Sequence, residues 1–320
     1  MAILAGIDEA GFGPMLGPLV VSGVVFRVPD DRLDRCLWET LRATCTGRSR
    51  RTEQRLVIAD SKQLYRSRGG LASLERAALV MLAVSGHRPQ TWRALLDLIA
   101  PEATGLLDQY AWYADTDVSL PVSGGVGDIG TRANAIRRDG REHGVSLQGV
   151  FSEPLPEGHF NRLVSNTRNK AVVLLGFVLR TVDRIMRSAP HQRVRVLVDR
   201  LGGRTHYRDA LITALPGYDL QIHEESPRRS VYRLIRSSRT CEIAFVTGGD
   251  GHHFPVALAS VYSKYLRELY MHVFNGYWSR QMPGLRPTAG YYTDAQRWLQ
   301  DVSRELVRRS IDRNMLVRQR

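Results

Sequence analysis

Two adjacent carboxylates, Asp8 and Glu9, follow a short apolar run from Ala2 to Ile7 and precede the stretch Gly11-Phe12-Gly13-Pro14-Met15-Leu16-Gly17-Pro18. Acids at the end of a buried strand, beside backbone that glycine leaves open to a ligand, are placed to hold a hard cation. Two more acids have the same setting. Val194 to Val198 ends on Asp199, and Cys241 to Val246 leads through Gly248-Gly249 to Asp250. Singly, each is as readily a helix cap or a surface charge, and Asp250 suits the cap of a following helix. Jointly, four acids ending apolar runs make an all-oxygen set suited to Mg²⁺ or Mn²⁺ rather than zinc, as in metal-dependent phosphoryl transfer. The glycine stretch itself matches neither the P-loop nor the dinucleotide fingerprint.

The charge balance agrees with a phosphate-bearing partner. Of 320 residues, 45 are Lys or Arg against 32 Asp or Glu, a formal net charge of +13, with arginine far outnumbering lysine. A generally arginine-rich surface would look the same, because the arginines are spread along the chain and mark no groove. Hydrophobic residues make up 43%, enough for a substantial core in one domain or two. Cys36, Cys45 and Cys241 have no metal-type spacing and imply free thiols in a reducing compartment. Asp8 and Glu9 interrupt what could have been a signal peptide. Runs such as Val172 to Val178 fall well short of the ~18–20 apolar residues a bilayer span needs. A cytoplasmic protein without membrane contact, and a monomer, is expected.

The elements that must position the acids follow from periodicity. Ala2 to Ile7, Leu19 to Val28, Val145 to Phe151 and Val194 to Asp199 read as strands. Leu220 to His223, Val231 to Ile235 and Cys241 to Val246 read as a hairpin plus an edge. Helical spacing predicts helices over Asp30 to Thr44, Ser73 to Val84, Trp92 to Ile99 and Tyr207 to Leu215, and from Pro255 to Phe274. One long helix is expected within Phe160 to Ser188, and a basic amphipathic one from Thr293 through Arg309. The segment Leu56 to Leu64 is an apolar run ending in polar groups. Arg48 to Arg51 reads as a basic loop and Val122 to Gly127 as a glycine-rich one.

The stretch Gly6-Ile7-Asp8-Glu9-Ala10-Gly11-Phe12-Gly13-Pro14 resembles the N-terminal signature of type 2 ribonucleases H (ribonuclease HII). Four more blocks agree in order: Asp60-Ser61-Lys62-Gln63-Leu64, Val196 to Asp199, Gly249-Asp250 followed by Ala257 to Lys264, and Gly290-Tyr291-Tyr292-Thr293. The resemblance implies a ribonuclease H-like α/β fold, a mixed sheet flanked by helices with a C-terminal helical segment. It places a catalytic domain over 1–292, with insertions near 87–144 and 202–247, and a basic helical segment over 293–320.

Carried onto this chain, the resemblance makes Asp8, Glu9, Asp199 and Asp250 the catalytic, metal-binding carboxylates of a two-metal Mg²⁺ or Mn²⁺ site. It implies an RNA–DNA hybrid, or duplex DNA with embedded ribonucleotides, as substrate, cut 5′ of the ribonucleotide to leave 3′-hydroxyl and 5′-phosphate. Gly11, Phe12 and Gly13 would meet the 2′-hydroxyl, Tyr291 would stack on the neighbouring sugar, and Lys62 and Lys264 would be phosphate or positioning groups. Asn169, or Asn166, would contact substrate. Lys264 equally suits a helix surface, and the asparagines a helix start. His252 and His253 are candidates for proton transfer or metal ligation, although histidines at a helix start more often do neither.

Several positions depart from the pattern. Phe12 stands where the family has a cation, Glu268 where Asp is usual, Tyr292 in place of a small residue or proline, and Gln296 where histidine is common. Asp199 and Asp250 are also unusually far apart in sequence, so an extra hairpin must be accommodated. Arg200 to Arg204, next to Asp199, is a candidate source of the cation that Phe12 lacks. Two alternatives stand beside the ribonuclease reading: a nucleic-acid-binding protein without efficient cleavage, and a metal nuclease of different substrate choice.

Overall fold

The computed structural model describes residues 1–48, 53–66, 69–124, 127–237 and 239–319. Parts of the expected loops at Arg48 to Arg51 and Val122 to Gly127 lie outside the described residues. In chain order the first half comprises β1 (Ala2–Ala10), β2 (Leu19–Val28), α1 (Leu37–Thr40), the two-residue strands β3 (Cys45–Thr46) and β4 (Leu56–Val57), α2 (Ser61–Arg66), α3 (Leu71–Val84), α4 (Trp92–Ile99), α5 (Pro101–Leu107), α6 (Ile129–Glu142) and β5 (Ser146–Leu155). The second half comprises α7 (Glu157–Thr167), α8 (Lys170–Ser188), β6 (Val194–Asp199), α9 (Arg208–Ala214), β7 (Asp219–Glu225), β8 (Arg229–Arg236), β9 (Arg239–Val246), α10 (Gly249–His252), α11 (Phe254–Gln281), α12 (Tyr292–Asp301), α13 (Ser303–Arg308) and α14 (Arg313–Leu316).

Seven strands form one mixed sheet in the order β5-β2-β1-β6-β9-β8-β7. β1, β6 and β9 run parallel at its centre, and the outer strands are antiparallel. Central parallel strands are covered on both faces, which is why β1 and β6 read as near-continuous apolar runs. Ile3, Ala5 and Ile7 face a core shared with α8, whereas Ala2 and Leu4 face a larger core built with α3 and α11. Gly6 lets α11 lie on β1: a Cβ there would stand 2.1 Å from the Pro255 carbonyl carbon. The expected class, a mixed sheet flanked by helices with a C-terminal helical segment, is the one the chain forms.

Three helix expectations need correction. The stretch from Asp30 to Thr44 holds only a 3₁₀ turn at Asp30–Arg32 and the single turn α1. The long helix within Phe160 to Ser188 is two helices, because Arg168 takes a left-handed conformation (φ 53°) and Asn169 starts α8 afresh by accepting from the Ala171 N–H at 2.9 Å. The last helix also breaks, at Val302, into α12 and α13. Periodicity registers which face is apolar and is blind to a one-residue interruption.

The residues between Asp199 and Asp250 extend the sheet: β7 and β8 add two antiparallel strands beyond β9. Residues 87–144 carry α4, α5 and α6, with Tyr110, Trp112 and Tyr113 buried against Trp92, Tyr270 and Phe274. No helix among the described residues is long and apolar enough to cross a membrane. All three cysteines are free, and burial pushes the Cys45 thiol up to about 12.

Candidate active site

Ile7 pairs with Val198 across β1 and β6, so the next residues, Asp8 and Asp199, lie side by side where β6 ends, while β1 runs two residues further to Ala10 on its β2 side. Asp199 in turn pairs with Val246 of β9, and four residues later the chain enters α10 with Asp250 in its first turn. Three adjacent strands therefore deliver acids to one end of the sheet, where open α/β sheets place ligands. Gly249 seals the corner by donating its N–H to Asp199 Oδ1 at 2.7 Å.

The electrostatics of the four acids are those of one site. Asp8 is 5% exposed, and its carboxyl is pushed well above the usual range by burial first, then by the charges of Glu9, Asp199 and Asp250. Burial, with the charge of Asp199, pushes Glu9 up to about 7. Burial also raises Asp199, and it raises Asp250 to about 6 with help from Asp60 and Asp199. The opposing charge on Glu9, Asp199 and Asp250 is the ammonium of Lys62 at the start of α2, preceded at Asp199 by the N–H groups of Gly249 and Arg200. Like charges gathered in partly desolvated surroundings are costly unless a cation joins them.

The fit to a hard divalent cation rests on this donor set and on one atom. Glu9 Oε2 is buried without a hydrogen-bond partner among the described residues, which leaves an oxygen lone pair unspent on one of the clustered acids. Among the described residues no three His, Cys, Asp or Glu side chains are drawn together tightly enough to enclose an ion. The acids stand at the wider range at which they raise one another's pKa. Asp8, Glu9, Asp199 and Asp250 are the residues that would hold such a cation.

Hydroxyl groups support the first acid. The Ser260 side chain hydrogen-bonds the Asp8 carboxylate and lies 2.9 Å from Ser61 Oγ, and Ser263 donates to the Asp8 carbonyl at 2.9 Å. Asp60, which accepts from the Lys62 N–H at 2.8 Å, is a fifth carboxylate close enough to act on Asp199 and Asp250. Sequence reading missed Asp60 as a member of the acidic cluster, since it ends no strand; its place in the Asp60 to Leu64 block was the available signal.

The glycine stretch runs from the end of β1 as a tightly held loop. Gly11 has φ 87°, and a Cβ there would meet the Pro18 carbonyl oxygen at 2.5 Å. Met15 donates its N–H to the Gly290 carbonyl at 2.8 Å, and Gly17 donates to Glu157 Oε1 at 2.8 Å. From beneath, Arg318 donates to the carbonyls of Gly11 and Pro14, its Nε–Pro14 distance being 3.1 Å, and its guanidinium lies over Phe160. Gly13 and Phe12 stay partly open, and the Lys170 ammonium sits 4.9 Å from the centroid of the Phe12 ring.

The remaining expected residues divide. Tyr291 is 51% exposed, with the buried Arg267 guanidinium 5.3 Å from its ring centroid; Arg267 also donates to the Ala289 carbonyl at 2.8 Å. Lys264 is committed: it pairs with Glu268 at 2.5 Å and lies 4.6 Å from the Tyr65 ring centroid. Glu268 holds Arg267 as well, at 2.9 Å. Asn169 caps α8 with its side-chain oxygen, and Asn166 is exposed on α7. His252 is exposed; burial holds the His253 imidazole below its ordinary range, and neither histidine is among the principal influences on the carboxylates. Arg200 supplies no free cation, because its guanidinium donates to the Ser226 and Pro227 carbonyls at 2.8 and 2.7 Å.

No protein-family profile and no curated protein matches the chain. Among solved structures it is similar to ribonuclease HII in the PCNA:RNase HII complex from Archaeoglobus fulgidus, with 14% identity, 99% of this chain and 94% of that one covered, and a TM-score of 0.43. It is similar to the ribonuclease H2 of Pyrococcus horikoshii OT3, with 12% identity, coverage of 98% and 92%, and a TM-score of 0.48. It is also similar to Bst-RNase HIII in complex with Mn²⁺, with 16% identity, coverage of 99% and 66%, and a TM-score of 0.46.

Proposed function

We propose that this protein is a metal-dependent endoribonuclease of the type 2 ribonuclease H kind, cutting RNA–DNA hybrids or the 5′ side of ribonucleotides embedded in DNA. The observation that carries the proposal is the meeting of Asp8, Glu9, Asp199 and Asp250 toward the carboxyl ends of three adjacent strands, beside the glycine loop. These acids would hold Mg²⁺ or Mn²⁺, which would supply Lewis-acid stabilisation of phosphate charge and a nucleophilic water at neutral pH. The chain's own groups do the rest. Backbone polar groups of Gly11 to Gly13 face the 2′-hydroxyl that distinguishes RNA from DNA. Tyr291, backed by Arg267, offers a rigid ring to the adjacent sugar. Lys62 offsets charge among the acids, and Ser260 and Ser263 fix the position of Asp8.

The test compares three duplexes with Mg²⁺ or Mn²⁺: an RNA–DNA hybrid, a DNA duplex carrying one ribonucleotide, and all-DNA. Nicking of the first two with 5′-phosphate products, and its loss in Asp8→Asn by a factor of at least about 10³, is the expected result. Equal cutting of all-DNA supports the alternative nuclease, and activity surviving Asp8→Asn removes the carboxylate site. A second reading, binding without efficient cleavage, is favoured by Phe12; it is the outcome if the hybrid binds and neither metal yields product.

A further inference from the structure

The segment between Asp199 and Asp250 does more than lengthen the sheet. At the carboxylate end, the loop following Asp199 and the β7–β8 turn are fastened to one another. Arg200 donates to the Ser226 and Pro227 carbonyls, Ser230 donates to the Thr205 carbonyl at 2.6 Å, and His206 Nδ1 lies 2.7 Å from Glu225 Oε2. Tyr232 adds a bond from its hydroxyl to Glu225. Two loops that would otherwise move separately are therefore held as a single plate beside Asp199.

The plate is shaped and charged for an anion. A shallow depression of about 720 Å³ lies between Gly203, Arg204, His206, Arg208 and Glu225. A Cβ at Gly202 or Gly203 would meet nothing within 4 Å, so backbone is exposed there. Two acids of the plate are ion-paired, Glu224 with Arg229 at 2.8 Å and Asp209 with Arg208 at 2.9 Å, and Glu225 is held by hydrogen bonds to His206 and the Tyr232 hydroxyl. Arg204 and Arg228 have no carboxylate within ion-pair distance among the described residues. Arg204 is steadied by the Tyr207 ring, 5.8 Å from its guanidinium carbon, and Arg228 is anchored through its carbonyl, which accepts from the Thr247 N–H at 3.0 Å. Two unspent guanidinium groups on a rigid surface, next to a site for phosphodiester chemistry, are suited to phosphate oxygens.

We propose that this plate is a phosphate-binding shelf, on which Arg204 and Arg228 engage the backbone of a nucleic-acid duplex beyond the segment lying over the carboxylates. The proposal rests on the nucleic-acid reading of the site but not on cleavage. It assigns the extra β7–β8 strands a purpose: they hold the turn that carries Arg228 at the level of Asp199. Because the shelf meets only phosphate, it strengthens binding without reading sequence or sugar.

The test measures binding of the full chain to a long all-DNA duplex, and to one carrying a single ribonucleotide, by fluorescence anisotropy in EDTA across a salt series. For Arg204→Ala/Arg228→Ala the plot of log K against log salt should be shallower than wild type by about 1.8, or about 0.9 for each phosphate that is no longer neutralised. Arg236→Ala/Arg239→Ala removes the same charge at the other end of the β8–β9 ribbon and should leave the slope unchanged. An unchanged slope in the first variant, or equal flattening in both, overturns the shelf, as does failure of the wild type to bind either duplex. Selective flattening in a protein that cuts no duplex keeps the shelf and removes the nuclease reading. Cutting with no selective flattening does the reverse.

Discussion

Only three of the 45 basic residues are lysines, and Lys62, Lys170 and Lys264 all stand around the carboxylates and the glycine loop. An ammonium is a compact point charge with rotatable donors, whereas a guanidinium is a broad plane with fixed ones. Lys62 answers crowded carboxylates, and Lys264 is wedged between Glu268 and Tyr65. Lys170, held against Phe12, puts a cation beside the position where the sequence lacks one. Lys170→Ala should raise KM for a ribonucleotide-containing duplex about tenfold, about 1.4 kcal/mol, with a smaller change in kcat, as expected when ground-state binding is weakened. Steady-state kinetics decide it, and an unchanged KM would remove Lys170 from the substrate surface. At this scale the acids were legible because each follows an apolar run. Lys170 was not, because its partner Phe12 lies 158 positions away in sequence and no local pattern joins them. Asn169 is ambiguous for the opposite reason: a polar residue at a helix start serves capping and recognition equally well, and the fold shows the capping.

Among the elements, the loop from Gly11 to Gly17 depends on parts of the chain that follow it by far. Gly290 holds it from one side, Glu157 at the start of α7 takes the Gly17 N–H, and the segment after α14 passes beneath it with Arg318 3% exposed. Burial lowers the Arg318 pKa to about 10 even with Glu157 favouring its charge. Removing the guanidinium would leave two backbone carbonyls short of a donor and Glu157 short of a counter-charge. Arg318→Met should therefore destabilise the fold by about 3 kcal/mol and speed amide exchange at Met15 and Gly17 more than in the central strand β6. Urea denaturation and hydrogen exchange measure the two effects; a loss under about 0.5 kcal/mol would show that the tail is not a support. The strands of this site were readable from composition, since β-branched runs bounded by glycine and acids leave few alternatives. The strut was not, because Arg318 looks like any arginine in a basic C-terminal helix until the fold brings it to Gly11.

For the molecule as a whole, burial without full pairing makes stability depend on pH, and Glu157 gives the cleanest measure of it. Its carboxyl is fully buried under the glycine loop, with Oε2 lacking a hydrogen bond among the described residues. Burial lifts it from the ordinary 4.5 to about 7, against the pull of the Gly17 N–H, Arg318 and Arg267. Between those values the folded chain keeps a proton that the unfolded chain has released, so stability falls as pH rises from about 4.5 to about 7 and levels off above. Asp8, Glu9 and Asp250 shift the same way, so the wild-type profile alone cannot separate them. Glu157→Gln keeps an acceptor for Gly17 and has no proton to lose. The stability of this variant relative to wild type should therefore climb across that window, by at most about 3 kcal/mol, while the common slope from the clustered acids Asp8, Glu9 and Asp250 remains in both proteins. Parallel profiles from denaturant titrations at pH 5, 6, 7 and 8 would mean that Glu157 is ionised throughout and that Arg318 and Arg267 outweigh its burial.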